Sequence, residues 1–100
     1  MKNVFVIQNS PSKNFEPAKK YGELTIMLRG NESIEDAERF LSNYLQEFEP
    51  TDYLLLVGSP VFIVIATIIA WQNLPSDKPL NLLVWNKEHY QYDCKQIDIP

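Results

Sequence analysis

Tyr53-Leu54-Leu55-Leu56-Val57-Gly58-Ser59-Pro60-Val61-Phe62-Ile63-Val64-Ile65-Ala66-Thr67-Ile68-Ile69-Ala70-Trp71-Gln72-Asn73 carries no charge, and none occurs between Asp52 and Asp77. A helix needs about 20 apolar residues to cross a bilayer, so length alone admits a membrane span. The interior of the stretch argues otherwise. Gly58-Ser59-Pro60 is the order expected where a strand stops and a helix starts: Ser59 can cap the first turn, and Pro60 suits the first helical position. No Lys or Arg lies between Arg39 and Lys78, so no positive flank marks a cytoplasmic membrane face. Met1-Lys2-Asn3-Val4-Phe5-Val6-Ile7 runs at once into polar and proline residues, unlike a signal peptide. The stretch reads as a buried strand followed by a buried helix, in a cytoplasmic protein that does not enter the membrane.

Outward from this segment, the chain alternates strands and helices. Asn3 to Gln8 is a β-branched and aromatic run closed by Asn9-Ser10-Pro11-Ser12, and Phe15 to Tyr21 is a helical turn or two. Glu23 to Leu28 is a second strand, ended by Gly30-Asn31. Ser33 then opens an amphipathic helix, with Asp36 three residues on as a capping-box variant. Ile34, Ala37, Phe40, Leu41, Tyr44, Leu45 and Phe48 form its apolar stripe, Glu35, Glu38, Arg39, Ser42 and Glu47 its wet side, and Pro50 its end. Asp52 to Val57 is apolar at nearly every position, as expected of a central strand covered on both faces. Pro60 to Asn73 is the second helix. Leu80 to Trp85 and Tyr90 to Ile99 are strands joined by the turn Asn86-Lys87-Glu88-His89. This order predicts a single α/β domain with a mainly parallel sheet of about five strands, two main helices and a C-terminal β-hairpin.

A chain of 100 residues can build one core without much surplus stability. Its net charge of −4 makes nucleic acid an improbable partner, because affinity for phosphates comes from Lys and Arg. Lys13, Lys19 and Lys20 form the one basic cluster, broken by Glu16. A single cysteine, Cys94, excludes an internal disulfide and a cysteine-based zinc site. No GxSxG, P-loop, GxGxxG or HExxH motif is present. His89 sits in a polar turn with no nucleophile beside it, so no enzyme, cofactor or metal is expected. Trp85, Tyr90 and Tyr92 gather at the hairpin, where cross-strand packing outweighs a stacking platform for single strands.

Two candidate surfaces remain. On a helical wheel, Val61, Val64, Ile65 and Ile68 fall to one side of the second helix and are expected to pack on the sheet. Ile63, Ala66, Thr67 and Ala70 fall to the other, forming a charge-free outer face suited to self-association. The alternative cover for that face is the segment around Phe15 in the same chain. The second surface lies beyond the carboxyl ends of the parallel strands, where open α/β sheets bind ligands. It would collect Asn9, Ser10, Arg29, Asn31, Ser59 and Asn86, with the helix starts at Ser33 and Ser59 favouring an anion.

Three blocks occur in order: Tyr21-Gly22-Glu23-Leu24, then Asp52 through Pro60 ahead of an Ile/Ala-rich helix, then Leu83-Val84-Trp85 ahead of a polar strand ending Ile97-Asp98-Ile99. Over most of the chain this pattern resembles a group of small uncharacterised proteins encoded by tailed bacteriophages. Ser59 stands where Asp is expected after the glycine, and both residues cap helices. The resemblance implies a viral protein made in a bacterial cell, hence in the host cytoplasm, and implies no activity, cofactor or site residue. The expected function is a non-enzymatic, self-associating interaction module, a dimer first of all, with a host protein as a further partner. The alternative is a binder of nucleotides or phosphate metabolites at the strand ends. A minor virion component is a third reading.

Overall fold

The computed structural model describes residues 2–98. Five strands, β1 (Asn3–Gln8), β2 (Glu23–Leu28), β3 (Tyr53–Leu55), β4 (Leu80–Asn86) and β5 (Gln91–Ile97), form one sheet in the order β2-β1-β3-β4-β5. The first four neighbours in that order run parallel, and β4–β5 is the antiparallel hairpin. Two helices, α1 (Ile34–Leu45) and α2 (Pro60–Gln72), pack side by side, and a short 3-10 turn spans Glu16–Lys20. No helix among the described residues is long and apolar enough to cross a membrane. The α/β architecture read from the sequence is therefore the one observed. The last strand starts one residue later than expected, and Ile99 lies outside the described residues.

Alternation along the strands divides the interior into two cores. Phe5, Ile7, Leu54, Leu80 and Leu82 join the inner faces of α1 and α2. Val4, Val6, Leu55 and Leu83 join Ala18 of the 3-10 turn, with Tyr92, Phe15 and Tyr21 closing that side. Phe15 thus covers the face opposite α2. The idea that the N-terminal segment shields the second helix does not hold.

A buried polar chain fixes the amino ends of the strands. Asp52 is 2 % exposed. Its Oδ1 accepts from the backbone N–H of Asn3 at 3.0 Å and the Asn3 amide at 3.4 Å, and its Oδ2 accepts from the Glu49 N–H at 2.9 Å. Beside it, Asn81 Nδ2 donates to the carbonyls of Pro50 (2.9 Å) and Asp52 (3.2 Å), while its Oδ1 accepts from Gln96 Nε2 at 2.8 Å. The chain therefore runs from β1 through the start of β3 to β4 and β5. It also explains why α1 stops at Leu45 instead of continuing to Pro50. Residues 46–51 make a turn whose Glu49 accepts from and donates to Asp52, so its backbone is unavailable to the helix.

The orientation of α2 reverses the expectation from the wheel. Ala66 and Ala70 have no exposed surface, and Phe62 is 6 % exposed. Val61, Val64, Ile68 and Trp71 point outward, at 48 %, 56 %, 48 % and 36 % exposure. The proposed outer face is thus largely the inner one, with Ile63 half-buried against the core and Thr67 half-buried. Small residues inside let a helix lie close to its neighbours, and Asn73 then bridges the helix ends by donating to the Leu45 carbonyl (2.9 Å) and the Ile69 carbonyl (3.1 Å). The Thr67 hydroxyl is satisfied within the helix, donating to the Ile63 carbonyl at 2.7 Å.

Asp52→Ala would strand the Asn3 and Glu49 amides in a site with little water. We expect it to destabilise the fold by about 3 kcal/mol, as measured by urea unfolding. A loss under about 0.5 kcal/mol, the usual range of a surface change, would show that the polar chain does not organise the strands.

Candidate functional site

Strand order reverses between β1 and β3, because β1 connects to β2 on one side and β3 connects to β4 on the other. Ligand crevices in open α/β sheets form at such a switch. Here Gln8, the last residue of β1, fills it. Its Oε1 accepts the Ser59 N–H at 2.9 Å. A Cβ on Gly58 would lie 2.5 Å from the Gln8 side chain, and one on Gly30 would lie 2.6 Å from Gln8 Nε2. Both glycines have positive φ, 120° and 112°, which side-chain-bearing residues rarely adopt. Ser59 is the N-cap residue of α2 as expected, but its hydroxyl makes no capping bond, and it is its own backbone N–H that the Gln8 amide accepts.

The second expected anion position is also occupied from within. The backbone N–H groups of Arg29 and Gly30 both donate to the Glu32 carboxyl, at 2.8 Å each. Partial desolvation acts to raise that carboxyl, but the two amides and the Arg29 charge outweigh it and hold it below the ordinary glutamate value. Ser33 does cap α1, its Oγ accepting the Asp36 N–H at 3.1 Å. Arg29 and Asn31 line a hollow of about 500 Å³ with Glu32, Asp36, Phe40 and Tyr44. Two carboxyl groups share it with one arginine, so it does not favour an anion.

The six strand-end candidates are therefore not brought into one site. Arg29 and Asn31 share a hollow, Ser59 meets Gln8, and the Asn9 N–H donates to the Leu28 carbonyl. Ser10 closes a turn, its carbonyl accepting the Lys13 N–H. Asn86 is a turn organiser, donating to Asp93 and accepting the N–H groups of Glu88 and His89. Asp93 is held below the ordinary aspartate value by hydrogen bonds from Asn86 and Gln91. Desolvation raises the Cys94 thiol, which lowers its thiolate content and its reactivity. No group of three or more His, Cys, Asp or Glu among the described residues could hold a metal ion.

Sequence reasoning missed the cleft that does form at the carboxyl ends of β3 and β4. Lys13, Leu55, Leu56, Val57, Gly58, Ile63, Trp85 and Tyr92 line a hollow of about 250 Å³. A second of about 290 Å³ adjoins it and shares Lys13, Trp85 and Tyr92. Trp85 and Tyr92 are cross-strand partners with ring centroids 4.9 Å apart, edge to face. The aromatic pair was legible in the sequence; Lys13 joins it only because a loop of residues 9–14 folds across the strand ends. Tyr92 is fixed twice, its hydroxyl donating to the Asn14 carbonyl (3.2 Å) and its carbonyl accepting from the Tyr21 hydroxyl (2.8 Å). Burial raises both hydroxyls above the ordinary tyrosine value, and Cys94 and Asp93 nearby act in the same direction on Tyr21, so both keep their protons and can donate.

Gly58→Ala would set a Cβ into Gln8 on a backbone that disfavours one. Its expected cost is roughly 1–3 kcal/mol. Adding Gln8→Ala removes the collision with Oε1 and Cδ but keeps the one with the Cβ of residue 8, 2.5 Å away, and the backbone strain. The double variant should therefore lose less than the two singles summed while remaining less stable than Gln8→Ala alone. Additive losses in urea unfolding would mean that Gln8 does not fill this crevice.

Known proteins bear on the chain in one way. A family model described as Phage Pam3 gp32-like protein matches residues 2–99. No curated protein and no solved structure matches it. The family match runs through every strand and helix of the sheet described above, as the resemblance to phage proteins implied, and the chain belongs to the Phage Pam3 gp32-like protein family.

Proposed function

We propose that this phage protein is a non-enzymatic interaction module of the host cytoplasm that pairs with a second copy of itself through the outer face of α2. The observation that carries the reading is the stripe Val61, Val64, Ile68 and Trp71, exposed on a helix with no charged residue from Pro60 to Asn73. These positions recur at helical spacing and form one line along the surface. A helix facing water normally carries charges there, as α1 does with Glu35, Glu38 and Arg39.

Size and symmetry favour a second copy as the occupant. Four large side chains exposed by a third to a half leave on the order of 350 Å² of apolar surface, comparable to the largest patch on an ordinary monomer. That suits the dry centre of an interface that takes about 800 Å² from each partner. In a two-fold pair the same patch meets itself, and a stripe without charges does so with no like-charge repulsion. The shallow apolar depression lined by Pro60, Val61, Val64 and Ile65 gives the opposing side chains a place to seat. Pairing through this stripe would leave the rest of the surface of a chain of net charge −4 free to engage a protein of the infected cell.

Light scattering coupled to size exclusion should give a dimer mass for the wild-type chain and a monomer mass for Val64→Glu/Ile68→Glu. Because both residues already face water, the far-UV spectrum should not change. A monomeric wild type at about 100 μM, above the micromolar-to-picomolar Kd range of standard-size specific interfaces, would overturn the proposal. So would an unchanged dimer in the variant.

A further inference from the structure

We infer that the cleft between Lys13 and the Trp85–Tyr92 pair is a binding site for a mononucleotide, with the base against the aromatic wall and its phosphate on Lys13. This is independent of self-association, since the cleft lies at the carboxyl ends of β3 and β4 and the dimer stripe on the outer face of α2. Three observations carry it.

The wall is rigid before any ligand arrives. Tyr92 is 3 % exposed, held by the Asn14 and Tyr21 hydrogen bonds, and its ring supports Trp85 edge to face. Trp85 itself remains 37 % exposed. A half-open indole resting on a fixed ring offers stacking surface at reduced ordering cost, and base–aromatic stacking contributes about 1–3 kcal/mol.

Charge in the cleft has one sign. Lys13 is the charged residue common to both hollows, and among the described residues no carboxyl group lines either of them. Its ammonium has no salt-bridge partner among the described residues; the ion pairs are Lys19–Glu16 and Arg39–Asp36. The hollow beside Arg29 differs on this point, holding two carboxyl groups.

The remaining lining fits the middle of such a ligand. Leu55, Val57 and Ile63 supply apolar wall, and Ser12 and Asn14 border the adjoining hollow with polar groups. One lysine pairs with one phosphate, offsetting part of its charge of about −1.5 to −2. A polynucleotide would bring many phosphates to a chain of net charge −4 and be repelled, so the chemistry selects a single nucleotide over a strand.

Trp71→Phe leaves Trp85 as the sole tryptophan, and its fluorescence then reports the cleft alone. The probes are AMP, GMP, CMP and UMP, with adenosine and inorganic phosphate as comparisons, excited at the red edge of indole absorption where bases absorb little. Saturable quenching by at least one nucleoside monophosphate is expected, with adenosine and phosphate each binding more weakly. Lys13→Glu, a change on an exposed loop, should weaken that nucleotide at least tenfold, as loss of a charge-assisted contact does. No saturable quenching by any of the four at millimolar concentration would overturn the inference. Equal quenching by AMP and adenosine, unchanged in Lys13→Glu, would overturn it as well. Both arms are read on the Trp71→Phe chain whatever its oligomeric state, so failure here and failure of the dimer are separate results.

Discussion

The close seating of Ala66 and Ala70 against the interior is the contact on which the rest of this molecule turns. Neither has any exposed surface, and each occupies a place where a larger side chain would push α2 away from its neighbours. Overpacking of that kind costs typically about 1–3 kcal/mol. With the small residues committed inward, helical geometry leaves Val61, Val64, Ile68 and Trp71 no direction but outward. The exposed stripe is thus a consequence of how the core is packed. A surface that is apolar for a structural reason is available for a functional one, and the charge-free sequence of α2 keeps it so.

The sheet beneath is aligned by polar contacts at one end and by side-chain plugs at the other. Asp52 and Asn81 tie the amino ends of β1, β3 and β4 to the carboxyl end of the antiparallel β5. At the carboxyl ends Gln8 closes the switch crevice and Glu32 fills the turn before α1. Both positions that would ordinarily attract an anion are used to complete the fold. What stays open is displaced by one strand, to the Lys13–Trp85–Tyr92 cleft.

Much of the fold could be read from residue types, and the reasons for the remainder are physical. Gly58-Ser59-Pro60 marked the strand-to-helix junction correctly, and the apolar periodicity of α1 placed Ala37, Leu41 and Leu45 inside, while Ile34 and Tyr44 at the edges of the same stripe face water. On α2 periodicity had nothing to work with, since every face is apolar and hydrophobicity alone cannot choose among them. The choice falls to side-chain size and to the distance at which α1 and the sheet can be approached. The strand-end site failed to assemble for a related reason. Asn9, Ser10, Ser59 and Asn86 are polar because they close turns and ends, and their hydrogen bonds are spent locally or on neighbouring strands. A side chain arriving from another strand, as Gln8 does, leaves no local pattern to detect.

α2 turns its small residues in and its large ones out, and in the pairing we propose a second copy covers the latter. Thiol labelling at single introduced cysteines tests both halves at once, in a Cys94→Ser chain that carries no other thiol. Cysteine at position 64 should react rapidly in dilute protein and become protected as concentration rises into the range of the dimer. Cysteine at position 66 should stay unreactive throughout, because that position has no exposed surface. Rapid labelling at 66 would contradict the packing of α2, and labelling at 64 that is equally fast at every concentration would contradict the pairing.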